Sequence, residues 1–70
     1  VYPVCVANAK NVMRVYQGGT GIQSDTQSIK QCQDAGALFG IPNATPCELS
    51  VFAQACVSAA SVTAKITTNV

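Results

Sequence analysis

The fold is predicted first from residues 45–56, which read TPCELSVFAQAC and carry the strongest local signal in the chain. Thr45 is expected to cap a helix, Pro46 to take its first position, where no amide hydrogen bond is lost, and Glu48 to close a capping box. The apolar residues of this segment recur at helical spacing: Leu49, Phe52, Ala53, Cys56 and Ala60. The pattern predicts an amphipathic helix that turns its cysteine toward the core.

A second helix is predicted upstream, starting at Ser24. Ser24 is the expected N-cap, Gln27 stands where a capping box requires it, and Asp25 complements the helix dipole. Gly40 and Pro42 are expected to end the helix. Its apolar face consists of Ile29, Cys32, Gly36 and Phe39. This helix is therefore also expected to carry a cysteine inward.

Period-two alternation predicts β-strands at both ends of the chain. Val4 and Val6 alternate with their neighbours near the start, and apolar residues alternate with polar ones over residues 62–67. Strands flanking two helices indicate an α+β fold, a two-layer sandwich whose antiparallel sheet carries both helices on one face. Residues 1–70 are expected to form this single, disulfide-stapled domain.

Residues 11–17 are open to two predictions. As a second strand they would turn Met13 and Val15 inward, whereas residues 9–16 fit a short helix equally well. Three glycines within residues 17–21 then predict a loop.

The four cysteines predict two structural disulfides. They are separated by 26, 14 and 8 residues, so no two form a zinc knuckle or a redox C-x-x-C motif, and the chain has no His. The pairing Cys5–Cys56 with Cys32–Cys47 is favoured slightly over Cys5–Cys47 with Cys32–Cys56. Disulfides indicate an oxidising compartment, and a chain that starts at Val1 without a leader is expected to be a processed, secreted, extracellular product.

The composition argues against catalysis and against several classes of partner. Without His, the candidate bases are Asp25, Asp34 and Glu48, and no catalytic residue, metal site or cofactor is predicted. A net charge of +1 from scattered residues gives no footprint for nucleic acid. No apolar stretch is long enough for a transmembrane segment. We therefore expect a non-enzymatic protein.

Four exposed candidates could form a partner surface, because Tyr and Arg commonly anchor interfaces: Arg14, Tyr16, Lys30 and Lys65. The alternative is that these residues are ordinary solvated surface. Their partner is expected to be an unidentified protein or cell-surface target, and self-association is left open. Asn43 begins an Asn-Ala-Thr sequon in a predicted loop and is a candidate glycosylation site.

Residues 26–32, TQSIKQC, are followed by Cys47, Leu49, Phe52 and Cys56. This spacing resembles that of the smut-virus killer toxin subunits of the killer-protein-six type and of small secreted fungal effectors that share their fold. The resemblance covers roughly Cys5 to Ile66. It implies cysteine-bearing helices flanked by β-strands, in a non-enzymatic protein that acts on another cell as a killer toxin or as an effector in a plant host.

Two other functions compete with this one. Residues 46–49, PCEL, resemble a short stretch of the elicitin sequences, and this resemblance implies lipid or sterol binding. Elicitins are larger, however, almost wholly helical and held by three disulfides. The predicted strand at residues 62–66 argues against that assignment. A small protease inhibitor is the other alternative, with residues 40–45 as its binding loop.

Overall fold

The protein is helical in every segment that the computed structural model describes, which is residues 2–16, 25–44 and 47–68, with side chains through Ser61. Its helices are α1 (Tyr2–Tyr16), α2 (Thr26–Phe39), α3 (Ile41–Ala44) and α4 (Leu49–Thr68). Within these segments only Asp25, Gly40, Cys47 and Glu48 lie outside a helix. The predicted α+β sandwich with an antiparallel sheet is therefore wrong, since the described residues contain no strand.

Helix α1 replaces the first predicted strand and confirms the helical alternative for residues 9–16. Its buried residues follow one another at intervals of four: Cys5, Ala9 and Met13. Val4, which the strand prediction counted as part of an alternating face, is exposed. The alternation was only a few residues long, and a four-residue repeat with a core to pack against overrides the strand preference of valine.

Helix α2 confirms the helix predicted in that region and has caps at both ends. Asp25 is its N-cap, and the Asp25 carboxylate accepts a hydrogen bond from the Ser28 amide at 2.6 Å. At the other end Gly40 adopts φ 69°, a left-handed conformation that glycine takes without strain, and its amide donates to the Ala37 carbonyl. The prediction that Ser24 is the N-cap is therefore wrong by one residue. Ser24 itself and the glycine loop at residues 17–21 lie outside the described residues.

The end of α2 at Phe39, with Gly40 as its C-cap, confirms the predicted end of this helix. One further detail differs from prediction: Phe39, which was expected on the inward face, is 74% exposed. Beyond the end of α2, Pro42 lies buried in the short helix α3, whose Asn43 and Ala44 amides donate to the Gly40 carbonyl.

Helix α4 confirms the second predicted helix but starts later and runs further. The Phe52 amide donates to the Glu48 carbonyl at 2.8 Å, so the helix begins at Leu49; Thr45 and Pro46, the predicted cap and first position, lie outside the described residues. Residues 62–66, predicted as a strand, continue α4 to Thr68. The strand predicted at residues 62–66 is therefore wrong, because these residues are helical.

The core lies where α1 and α2 pack on α4. Gly36 of α2 meets Phe52 of α4, and Gln33 donates through Nε2 to the Ala53 carbonyl at 3.0 Å. The fully buried side chains of the core include Met13 and Phe52. Residue numbers rise along α2 as they fall along the facing part of α4, so these two helices run antiparallel.

The disulfides follow the second of the two predicted pairings. Cys5 is bonded to Cys47, with Cα atoms 5.7 Å apart, and Cys32 to Cys56, with Cα atoms 6.0 Å apart. The favoured pairing of Cys5 with Cys56 and Cys32 with Cys47 is therefore wrong. It assumed a strand at Cys5; the start of helix α1 lies instead beside the residues that precede α4. Tyr2 Oη also hydrogen-bonds Ser58 Oγ at 2.6 Å, so the start of α1 contacts the middle of α4 as well.

Candidate functional site

An apolar groove of about 220 Å³ lies between the last turns of α1 and α2. The groove residues belong to the carboxyl-terminal halves of α1 and α2, so these two halves lie side by side. The residues that line the groove are Asn11, Val12, Val15 and Tyr16 from α1 and Ala35 and Phe39 from α2. Asn11 supplies the one amide side chain in this lining.

Large apolar side chains surround the groove and are exposed to solvent. Val15 is 81% exposed, Tyr16 56% and Phe39 74%, and Leu38, next to Phe39, is 83% exposed. We call Val15, Tyr16 and Phe39, which also line the groove, the apolar rim; Leu38 stands beside it and does not line the groove. Single exposed apolar residues are ordinary, whereas adjacent ones on neighbouring elements are a candidate binding surface. The groove and its rim are therefore the strongest candidate site among the described residues.

Helical spacing explains why these side chains gather on one side of α1. Asn11 and Val15 are four residues apart, as are Val12 and Tyr16, so each pair lies one above the other. Ala35 and Phe39 repeat the spacing on α2. The sequence prediction missed this second stripe because its strand alternative turned Val15 inward and because it placed Phe39 on the core face of α2.

The charges around the groove come from both helices. Arg14 is exposed in the last turn of α1, one residue before Val15, and no ion pair to it forms among the described residues. On α2, Asp34 is exposed and precedes Ala35, and the last turn of α2 contains no basic residue. In sequence, Arg14 is thus the positive charge next to the groove residues of α1, and Asp34 the negative charge next to those of α2.

The carboxylate of Asp25 is occupied by its structural role. The hydrogen bonds from the Ser28 backbone amide and the Ser28 side chain hold the pKa of Asp25 below its ordinary value, more than solvent exclusion raises it. A carboxylate that caps a helix is a poor candidate for a general base, because its lone pairs are already engaged.

The predicted partner surface is not brought together as one patch. Arg14 and Tyr16 lie near the groove, whereas Lys30 stands nine residues before Phe39, about 13 Å along the axis of α2. The Lys65 side chain lies outside the described part of the chain. Asn43 is exposed as predicted, but in α3 rather than in a loop, and its glycosylation stays a prediction. The candidate inhibitor loop at residues 40–45 likewise contains helix α3 instead of an extended segment.

Three further observations concern the described residues as a whole. No three of their His, Cys, Asp and Glu side chains come together as a metal-binding group. None of their helices is both long and apolar enough to cross a membrane. All four cysteines are disulfide-bonded.

Comparison with known proteins gave no match to a family model, to a curated protein or to a solved structure. The groove, its rim and the charges beside it are therefore the features of this chain that bear on its function.

Proposed function

We propose that this chain is a small secreted, effector-like protein that acts on another cell by binding a small apolar ligand, without catalysis, in the groove between α1 and α2. The observation that carries the proposal is the groove itself, whose lining is almost wholly apolar and whose rim exposes Val15, Tyr16 and Phe39. Water in contact with such a surface is released when an apolar ligand covers it, which favours binding.

The helical fold supports ligand binding over the β-flanked killer toxin. The resemblance to the killer toxin implied strands on either side of the helices, and the described residues contain none. The main structural argument against lipid binding was the strand at residues 62–66, and those residues belong to α4. Two disulfides in so short a chain support an extracellular location, since persistent disulfides form in oxidising compartments.

Binding of a neutral solvatochromic dye such as Nile red tests the proposal. We expect saturable binding at one site, and Phe39→Ser to weaken it by about tenfold or more, because a lost apolar contact of that size changes the binding free energy by about 1.5–3 kcal/mol. Leu38→Ser is the matched control: Leu38 is as exposed as Phe39 but does not line the groove. Its variant should bind the dye like the parent protein.

Both substitutions lie on the surface and leave the core intact, so circular dichroism should show parent-like helicity for each. Equal loss of dye binding in the two variants would mean that the dye coats exposed apolar side chains without entering the groove. Absence of saturable binding in the parent would refute the proposed function.

A further inference from the structure

We infer that the ligand is a monomeric long-chain fatty acid, held with its hydrocarbon chain along the groove and its carboxylate beside Arg14. The inference rests on the proposed function, because it names the ligand class of the same groove. Two properties of the site carry it: its size and the side on which its positive charge lies.

The size of the groove favours a single flexible chain over a rigid polycyclic molecule. Sites for drug-sized ligands usually enclose about 300–1,000 Å³, and this groove holds about 220 Å³. Its α1 wall extends from Asn11 to Tyr16, about 7 Å along the helix axis. A sterol ring system is too large for that space, whereas an alkyl chain can fill it and continue beyond it over the rim.

Electrostatics place an anionic head group on the α1 side. The carboxyl-terminal ends of helices carry partial negative charge, which repels a carboxylate. On α1 Arg14 offsets that charge, whereas α2 ends without a basic residue and carries Asp34 next to the groove residue Ala35. The guanidinium of Arg14 matches a carboxylate in geometry as well as in charge. A ligand with an acidic end and an apolar chain therefore complements both parts of the site.

The test compares ligands of matched chain length and different head group, each kept below its micelle concentration. Saturated fatty acids, the corresponding alcohols and the corresponding primary amines are titrated calorimetrically into the full chain. We expect affinity to rise about fourfold per methylene until the groove is filled, in line with about 0.8 kcal/mol for each buried methylene. At any one length the acid should bind more tightly than the alcohol, and the alcohol more tightly than the amine.

Arg14→Gln should weaken binding of the acid by about threefold, as expected for an exposed ion pair, and leave binding of the alcohol unchanged. Lys30→Gln is the matched control, since it removes one positive charge from α2 away from the groove. This variant should bind both the acid and the alcohol with the affinity of the parent protein. If both variants weaken binding of the acid equally, the effect is one of net charge, and the position of the carboxylate beside Arg14 is refuted.

The remaining outcomes separate this inference from the proposed function. Equal binding of acid and alcohol, or tighter binding of the amine, overturns the fatty acid while the groove stands as an apolar site. Binding to vesicles of anionic phospholipid, with none to monomeric acid, overturns it in favour of a bilayer surface. Failure of all three ligand series together with failure of Nile red refutes the proposed function itself.

Discussion

Gly36 is the position on α2 where the ring of Phe52 leaves no room for a side chain. A Cβ atom built there overlaps three atoms of the ring, and the ring is fully buried and has no solvent-filled space to enter. In an exposed helix interior, alanine is more stable than glycine by about 1 kcal/mol because it loses less backbone entropy on folding. At Gly36 the steric overlap is the larger effect, since overpacking a core costs about 1–3 kcal/mol.

We therefore expect Gly36→Ala to lower the free energy of unfolding by about 1–2 kcal/mol, measured by urea denaturation. The double variant Gly36→Ala with Phe52→Leu should lose less than the sum of the two single losses, because the smaller side chain makes room for the new methyl group. An increase in stability for Gly36→Ala alone would show that the two helices can move apart. The higher helix propensity of alanine would then outweigh the steric overlap with Phe52.

Asp25 makes the stability of α2 depend on pH in the acid range. Its pKa in the folded protein lies below the ordinary 3.8, mainly because of the Ser28 amide hydrogen bond. The unfolded chain therefore binds more protons between the two pKa values, and stability must rise with pH there. The contribution of Asp25 is present above about pH 4 and is lost as pH falls through the folded pKa.

The variant Asp25→Asn keeps a side-chain oxygen that can cap the helix but cannot titrate. Urea denaturation of the two proteins between about pH 2 and pH 6 should show a smaller loss of stability on acidification for the variant. Parallel curves would mean that the Asp25 carboxylate is not hydrogen-bonded in the folded protein.

At the scale of elements, α1 is distinguished from the predicted strand by which of its side chains are buried. The strand prediction turned Met13 and Val15 to the same inward face, because they are two residues apart. In the helix they point in different directions, and Met13 is 1% exposed whereas Val15 is 81% exposed.

This difference gives a matched pair of variants. Met13→Ala should destabilise the protein by about 2–4 kcal/mol, since it opens a cavity in the core. Val15→Ala should change stability by no more than about 0.5 kcal/mol, as surface substitutions do. Thermal or urea unfolding measures both, and comparable losses would support the strand.

The elements that could be predicted were those with a strong local start or stop. The region of α2 was found because it has capping residues and ends at Gly40, and the first part of α4 because an apolar stripe follows the proline and glutamate. The signals for α1 were present but were outweighed by its valines: Pro3 stands in the first turn, where proline costs no hydrogen bond, and Arg14 in the last. Helix and strand compete closely in short apolar segments, and packing decides between them.

The groove could not be predicted, because it depends on two helices that are separated by residues 17–25 in the sequence. Val15 and Phe39 are apolar, so the sequence alone favoured burial for each of them. Their exposure follows only from the way α1 and α2 lie side by side on α4.

For the whole molecule, the disulfides supply a large part of the stability. In the chain-entropy model, bonds that join residues 42 and 24 positions apart contribute about 4 and about 3.5 kcal/mol. The total stability of a small domain is about 5–15 kcal/mol. A core built largely from alanine and cysteine buries little apolar area per residue, so these cross-links matter more here than in a larger domain.

The pairing can be checked by mass spectrometry of the unreduced protein after cleavage behind Lys, Arg, Asp and Glu. These cuts place Cys5 in residues 1–10, Cys32 in residues 31–34, Cys47 in residues 35–48 and Cys56 in residues 49–65. We expect the first peptide linked to the third and the second linked to the fourth. A link between the first and the fourth would restore the pairing that the sequence favoured.

The two bonds interleave along the chain, since Cys32 lies between Cys5 and Cys47, and Cys47 between Cys32 and Cys56. A single break in the backbone anywhere from Cys5 to Cys56 therefore leaves its two pieces tied by at least one bond. Cleavage of the backbone in this range therefore does not release a fragment. The two pieces stay covalently linked until a reductant breaks the disulfides.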